Sequence, residues 1–123
     1  MIETAVGAVY FVPDRLLDMS DPDRLPHPSR RPVVIMSDQE HNANRQWPIV
    51  LACPTTTKTT LKTPFNVKLR AGDGGVPDRC WIVVPLLQVL YKRDLSDHLG
   101  VLFEQKIEES RARLLDYMGM IPA

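Results

Sequence analysis

The sequence predicts a mainly β domain, a small and strongly curved antiparallel barrel with one C-terminal helix packed across it. Two observations support this fold class. Five or so short apolar stretches, separated by polar segments with proline and glycine, precede the final third of the chain. That final third then shows apolar residues at helical spacing. With 123 residues, the chain fits a single domain, residues 1–123, large enough to fold without a disulfide or a metal.

Continuous or alternating apolar runs mark the predicted strands. These strands cover residues 5–12, 32–36, 49–53 and 64–69, followed by one long apolar strand region formed by residues 81–87 and 88–90. The run at residues 49–53 is apolar throughout, which is typical of a central strand buried on both sides. Pro32 is acceptable as the first residue of its strand, where a missing N–H costs least, and Pro85 indicates a bulge or an edge.

The connecting segments are predicted from their polar composition, and the main helix from apolar residues that recur at helical spacing. Polar connections cover residues 13–29, 38–47 and 55–63, with helix in the first of them restricted to residues 14–19. Residues 94–98 are expected to form a short helical turn with Ser96 as its N-cap. The main helix is predicted over residues 103–118, and Gly119 is a suitable residue to end it.

Several classes of protein are disfavoured by the composition. No apolar run approaches the roughly 20 residues that a membrane-spanning helix needs, and no secretory signal is visible at the N-terminus. Cys53 and Cys80 are isolated, and the three histidines show no metal-ligand spacing. We therefore expect a cytoplasmic protein without metal or other cofactor and without membrane contact.

The net charge of zero conceals an uneven distribution. Residues 1–40 and residues 94–123 each carry a net charge of −3. Between them, residues 41–72 contain no acid and five basic residues: Arg45, Lys58, Lys62, Lys68 and Arg70. Clustered positive charge is typical of proteins that bind polyanions, although the same lysines also fit the solvated side of a hairpin.

Polar residues suited to a phosphate flank two of the predicted strands. Arg31 lies at the entrance of the second strand, and the hydroxyls of Thr55, Thr56 and Thr57 follow the third. If these strands are neighbours, a guanidinium that binds phosphate oxygens in pairs converges with hydroxyl donors. Phosphodiester chemistry on RNA is the leading hypothesis. The alternatives are ordinary turn polarity for the threonines and a surface salt bridge for Arg31, with Asp18, Asp21 or Asp23 as its partner.

An ordered set of motifs resembles the PemK/MazF-like toxins of bacterial toxin–antitoxin systems. The N-terminal motifs are Gly7-x-Val9, Arg31-Pro32-Val33-Val34-Ile35-x-Ser37 and Pro48-Ile49-Val50-x-x-x-Pro54-Thr55. The C-terminal motifs are Pro64-Phe65-x-Val67-x-Leu69, Gln88-Val89, Asp94-Leu95 before Leu99-Gly100, and Leu115-x-x-Met118-Gly119. Each motif is short, but together they cover nearly the whole chain in the family's order.

The resemblance implies an SH3-like barrel, a homodimer and a metal-independent endoribonuclease that cleaves single-stranded mRNA and is silenced by a cognate antitoxin. Arg31 corresponds to the family's catalytic arginine. Thr55 corresponds best to its catalytic threonine, with Thr56 next if the register differs by one. The chain departs from the family around Gln88, where Leu87 and Leu90 replace an aspartate and an arginine, and these differences bear on substrate sequence preference.

Specific roles follow from this chemistry. Arg31 is expected to stabilise charge on the phosphorane and Thr55 to hold the scissile phosphate. The substrate-binding candidates are Thr56, Lys58, Lys62 and Gln88: the lysines would follow the RNA backbone, and the amide of Gln88 would read a base edge, unless Gln88 is only a polar residue at the end of a strand. Two other functions stay open. One is a non-enzymatic gyrase poison of the CcdB type, suggested by the apolar ending at residues 118–123; the other is a degenerate barrel that binds RNA or antitoxin without cleavage.

Overall fold

An antiparallel sheet of seven strands dominates the part of the chain that the structure, a computed structural model, describes: residues 5–19, 30–58 and 63–120. The strands are β1 (Ala8–Pro13), β2 (Arg30–Ile35), β3 (Ile49–Thr56), β4 (Val67–Leu69), β5 (Cys80–Ile82), β6 (Gln88–Tyr91) and β7 (Ser96–Val101). Two α-helices, α1 (Gln39–Ala43) and α2 (Glu104–Tyr117), and several three-residue 3₁₀ turns complete the regular structure of these residues. The prediction of a mainly β fold with a C-terminal helix is confirmed.

The sheet curls around its longest strand, β3. The strand order is β4-β5-β3-β2-β1-β7, and β6 also pairs with β3. Ala52 of β3 lies between Ile35 of β2 and Gln88 of β6, whereas Thr55 and Thr56 pair with β5. Because β3 contributes to two parts of the sheet, it joins them at the point where the candidate active-site residues lie.

β1, the Val33–Ile35 part of β2 and the Ala52–Thr56 part of β3 are buried on both sides, which explains most of their continuous apolar runs. Leu51 in the first half of β3 is the exception, at 40% exposure. In β1, Ala8, Tyr10 and Val12 belong to one apolar cluster, and Val9 belongs to a second cluster on the other side. The second cluster includes Ile107 of α2, so the helix closes that side of the sheet. The curled sheet therefore has two cores, one on either side of β1, β2 and β3.

Helix α2 agrees closely with its predicted bounds. Ile107 and Ser110 are its buried residues, and Gly119 follows its end with a φ of +72°. A positive φ is accessible to glycine at little cost, which is why this residue can terminate the helix. No helix of the described residues combines the length and the apolar character needed to cross a bilayer.

Three local predictions are wrong. Residues 94–98 do not form a helical turn with a Ser96 N-cap: Ser96 begins strand β7, and its hydroxyl donates to the Phe11 carbonyl of β1 at 3.2 Å. Pro85 lies in a 3₁₀ turn, Val84–Leu86, which divides the predicted long strand into β5 and β6. Helix α1 was not predicted; the Asp38 side chain caps it by accepting from the Glu40 N–H.

The fourth correction concerns the site. The sequence predicts a loop at residues 55–63, but β3 continues through Thr55 and Thr56. These two threonines pair with Ile82 and Trp81 of β5. Thr55 therefore occupies a rigid strand position, and Arg31, which pairs with Val12 of β1, lies inside β2 rather than before it.

Candidate active site

The guanidinium of Arg31 connects the end of β1 to β3. Its Nε donates to Oδ1 of Asp14 at 2.6 Å, and its Nη1 donates to the backbone carbonyl of Thr55 at 2.9 Å. The side chains of Arg31 and Asp14 are only 12% and 7% exposed. A guanidinium has five N–H donors, so these two contacts leave donors for a further ligand while fixing the plane of the group.

Thr55 presents its backbone, rather than its hydroxyl, to Arg31. The hydroxyl donates to the Pro32 carbonyl at 2.8 Å, which links β3 to the start of β2. The residue is 2% exposed. Any contact between this hydroxyl and a phosphate therefore requires that the hydroxyl share or leave its bond to Pro32.

An open pocket contains both predicted catalytic residues. Its volume is about 210 Å³. The lining residues are Phe11, Asp14, Arg30, Arg31, Pro32, Thr55, Thr57, Pro77, Asp78 and Cys80. The prediction that Arg31 and Thr55 share one hollow is consistent with this arrangement, because β2 and β3 are neighbouring strands.

The charges of the pocket are mixed rather than uniformly positive. Arg30 and Arg31 are opposed by the carboxylates of Asp14 and Asp78. Arg30 stacks on the Phe11 ring, with its Cζ 4.1 Å from the ring centroid, and forms an exposed ion pair with Asp97. Arg31 is thus the more buried and more constrained of the two arginines.

The thiol of Cys80 is protonated at neutral pH. Its pKa is raised to about 11, mainly by burial; hydrogen bonding with the Thr55 side chain opposes this rise, and the negative charges of Asp78 and Asp73 contribute to it. Nucleophilic chemistry by cysteine requires the thiolate. We therefore assign Cys80 no reactive role and regard it as part of the pocket wall.

Three of the substrate-binding candidates, Thr56, Lys58 and Gln88, are described and do not line this pocket. Thr56 is 1% exposed, and its hydroxyl accepts from the Lys58 N–H at 3.1 Å. Gln88 pairs through its amide with the backbone of Asp18: its Oε1 accepts from the Asp18 N–H at 3.0 Å, and its Nε2 donates to the Asp18 carbonyl at 3.1 Å. Lys62 lies outside the described residues.

Asp14 is the site residue that the sequence reasoning missed. The sequence suggested Asp18, Asp21 or Asp23 as ion-pair partners for Arg31, whereas the observed partner is Asp14, directly after β1. The available signal was hairpin register, because a strand 8–13 opposite a strand 30–35 brings residue 14 near residue 31. We find no group of three or more His, Cys, Asp or Glu residues suited to a metal ion within the described ranges.

Comparison with known proteins gives a consistent assignment. A family described as "PemK-like, MazF-like toxin of type II toxin-antitoxin system" matches residues 16–118. The Endoribonuclease MazF2 of Mycobacterium bovis is 26% identical over 102 residues, covering 80% of this chain and 90% of that protein. The Endoribonuclease MazF6 of Mycobacterium tuberculosis has the same identity and coverage.

Solved structures share the fold. An endoribonuclease in complex with its cognate antitoxin, from a mycobacterial species, has a TM-score of 0.71 at 21% identity, with 100% of each chain covered. The MazE-MazF structure (Form-II) from Deinococcus radiodurans has a TM-score of 0.70 at 20% identity, with 98% of this chain and 100% of that chain covered. At such identities the likeness establishes the curled β fold.

Proposed function

The chain belongs to the PemK-like, MazF-like toxins of type II toxin–antitoxin systems, and from that membership we propose that it is a metal-independent endoribonuclease acting on single-stranded mRNA. The observation that carries the proposal is the placement of Arg31 and Thr55 in one pocket, with the guanidinium held by two hydrogen bonds. The curated relatives, both named endoribonucleases, support the same reaction class.

The proposed reaction uses the RNA's own 2′-hydroxyl. The 2′-oxygen attacks the adjacent phosphorus and loses its proton to solvent, while the bond from phosphorus to the 5′-oxygen breaks and that oxygen takes a proton from water. The products are a 2′,3′-cyclic phosphate and a 5′-hydroxyl. Negative charge grows on the non-bridging oxygens as the phosphorane forms, and the remaining N–H donors of Arg31 stabilise it.

Thr55 contributes to the site mainly through its position in the sheet. Its carbonyl orients the Arg31 guanidinium, and its hydroxyl fixes the start of β2 through the Pro32 carbonyl. To hold the scissile phosphate in the bound state, the hydroxyl would donate its proton to a phosphate oxygen, either shared with or in place of the Pro32 carbonyl. A threonine hydroxyl does not titrate near neutral pH, so we assign Thr55 a holding role and not that of a base.

The RNA on either side of the pocket is proposed to contact the remaining substrate-binding candidates. Lys58, which follows β3, and Lys62 are proposed to bind backbone phosphates, and Thr56 shapes the turn that presents Lys58. The Gln88 amide already pairs with a peptide group of Asp18 in the manner in which an amide pairs with a base. Base reading by Gln88 would therefore require exchange of that pair for a base edge.

The proposed assembly is a homodimer that also binds a cognate antitoxin. On the outer side of the β3–β6 pair, Leu51 and Val89 face each other across the strands and are 40% and 55% exposed. The neighbouring pair on the same side is Ile49 and Tyr91, and Tyr91 is 48% exposed. A contiguous apolar surface of this kind favours contact with a second copy. Antitoxin binding is supported by the mycobacterial endoribonuclease of the same fold, whose structure was solved in complex with its cognate antitoxin.

The proposed function also implies a cellular location, and it competes with two other functions. We place the protein in the cytoplasm, where mRNA is found and where cysteines such as Cys53 and Cys80, which form no disulfide, stay reduced. The gyrase-poison alternative is less well supported, because the matched family and its curated relatives point to ribonuclease toxins. A degenerate barrel without catalysis is the alternative that the following experiment excludes or supports.

The test uses the purified chain, separated from antitoxin, with long single-stranded RNA in the presence of EDTA. Cleavage sites are mapped, and a DNA oligonucleotide of the mapped sequence is made with one ribonucleotide at the cleaved position. We expect the chimera to be cut to a 2′,3′-cyclic phosphate and the all-DNA control to stay intact. Cleavage of the all-DNA control, or no cleavage of any RNA, would contradict the proposal.

A further inference from the structure

We propose that Asp14 is a positioning residue for the ribonuclease reaction: it holds the Nε edge of Arg31 so that the outer edge of the guanidinium meets the scissile phosphate. The inference rests on the proposed function and deepens it. Asp14 is not a phosphate ligand, because its carboxylate has the same sign of charge as the substrate. It acts on the reaction through Arg31.

The ion pair between Arg31 and Asp14 is short, buried and anchored to the sheet. The Arg31 Nε to Asp14 Oδ1 distance is 2.6 Å, and both side chains are almost fully withdrawn from solvent. A charge-assisted hydrogen bond of this length is short and strong relative to neutral ones. Asp14 lies in a 3₁₀ turn, Asp14–Leu16, directly after β1, so its backbone is anchored to the sheet.

Two anchors, one in the 3₁₀ turn that follows β1 and one in β3, determine the orientation of the guanidinium. Asp14, at the end of β1, binds Nε, and the Thr55 carbonyl of β3 binds Nη1. The group is planar, so fixing two of its nitrogens fixes the plane and the direction of the third, Nη2. Preorganised donors stabilise a transition state because they need no reorientation when charge develops.

If a buried carboxylate in a phosphate-binding pocket affects the reaction only through its charge, it lowers the affinity of the pocket for RNA. Asp14 and Asp78 both add negative charge to the pocket, and each repels a phosphodiester. If Asp14 orients Arg31, neutralising it should leave RNA binding intact or tighter while slowing catalysis. If Asp14 only stabilised the fold, its replacement would not leave RNA binding intact while slowing cleavage, because loss of folded protein lowers both binding and turnover.

Asp78 provides the matched control. It lines the same pocket and carries the same charge, but it is exposed and forms no ion pair with Arg31. Asp78→Asn therefore reproduces the change in pocket charge without touching the contact at Nε. Comparison of Asp14→Asn with Asp78→Asn therefore separates the effect of guanidinium orientation on the cleavage rate from the effect of the pocket's net charge.

The experiment measures single-turnover cleavage of the mapped chimeric oligonucleotide and binding of its uncleavable all-DNA version, for the wild type, Asp14→Asn and Asp78→Asn. We expect both variants to bind at least as tightly as the wild type, with a gain of up to about threefold. We expect Asp14→Asn to lose about 10–100-fold in cleavage rate and Asp78→Asn to stay within about threefold of the wild type.

Other results of this experiment would overturn the positioning role of Asp14, the ribonuclease proposal, or both. Because the Oδ1 of an asparagine can still accept from Nε of Arg31, Asp14→Ala is measured beside Asp14→Asn. A wild-type rate for Asp14→Ala overturns the positioning role but leaves the ribonuclease proposal standing, and so does a loss of rate that is equal in Asp14→Asn and Asp78→Asn. Failure of the wild type to cleave overturns both proposals together. If Asp14→Asn does not fold, Asp14→Glu keeps the charge and moves the carboxylate by one methylene. A wild-type rate in Asp14→Glu would overturn the role, and a loss of rate with unchanged binding would support it.

Discussion

Replacement of Arg31 by alanine is expected to lower the rate of RNA cleavage by about a hundred- to a thousandfold, which corresponds to roughly 2.7–4 kcal/mol of lost transition-state stabilisation. The physical reason is that the two hydrogen bonds from Nε and Nη1 hold this guanidinium in the pocket before substrate arrives. The measurement is single-turnover cleavage of the mapped oligonucleotide, with circular dichroism and thermal unfolding to confirm the fold.

Two companion variants make this result specific. Arg31→Ala leaves Asp14 buried without its cation, which itself destabilises the protein, whereas Arg31→Lys retains a positive charge. We expect Arg31→Lys to recover stability but little of the rate, because a lysine cannot bridge Asp14 and the Thr55 carbonyl as a planar group does. Arg30→Ala removes an exposed arginine of the same pocket and should weaken RNA binding more than it slows cleavage. Equal rates in Arg31→Ala and the wild type would remove Arg31 from the mechanism.

The second large effect concerns stability at Gly75. An alanine Cβ at this position would lie 2.2 Å from the backbone carbonyl oxygen of Leu99 in β7, and Gly75 has a φ of +85°. The left-handed conformation costs a non-glycine residue about 1–2 kcal/mol, and relief of the overlap costs about 1–3 kcal/mol more. We therefore expect Gly75→Ala to lower the free energy of unfolding by about 2–5 kcal/mol in urea denaturation.

Gly72 is the control for this prediction. Its φ is +95°, yet a Cβ there would meet nothing within 4 Å. Gly72→Ala should therefore cost only the conformational part, about 1–2 kcal/mol. The turn at Gly75 packs against β7 just before the chain reaches Pro77 and Asp78 of the pocket. Equal destabilisation by the two substitutions would show that the close approach to β7 contributes nothing.

The sequence predicts the central part of this fold well because local pattern and tertiary environment agree there. Most residues of strands β1, β2 and β3 are buried on one side of the sheet or the other, so their apolar runs are easily recognised. Helix α2 is recognised because Ile107 and the neighbouring apolar residues recur at helical spacing. In both cases, the information that determines the structure lies within the segment itself.

The failed predictions involve partners that are distant in sequence. Thr55 and Thr56 have the composition of a turn, but pairing with Trp81 and Ile82 keeps them in a strand. Ser96 has the composition of a helix N-cap, but pairing with β1 places it in β7. Local propensity is a weak guide where cross-strand contacts decide the structure.

The residues of the candidate site also divide into those that the local sequence predicts and one that depends on a distant contact. Arg31 and Thr55 were predicted because each lies near the end of an apolar run and matches a family motif. Asp14 was not, because its importance depends on a contact with a residue 17 positions away. The polar character of residues 13–29 offers three other aspartates, Asp18, Asp21 and Asp23, as equally reasonable partners. Only the register between β1 and β2 distinguishes them.

The most direct test of the account is a crystal structure of the protein with an oligonucleotide of the mapped sequence that carries 2′-deoxyribose at the cleavage position. We expect the scissile phosphate to lie in the pocket that holds Arg31 and Thr55, about 2.7–3.2 Å from the guanidinium nitrogens. A scissile phosphate bound elsewhere on the protein, with the Arg31 guanidinium out of contact with RNA, would contradict the account.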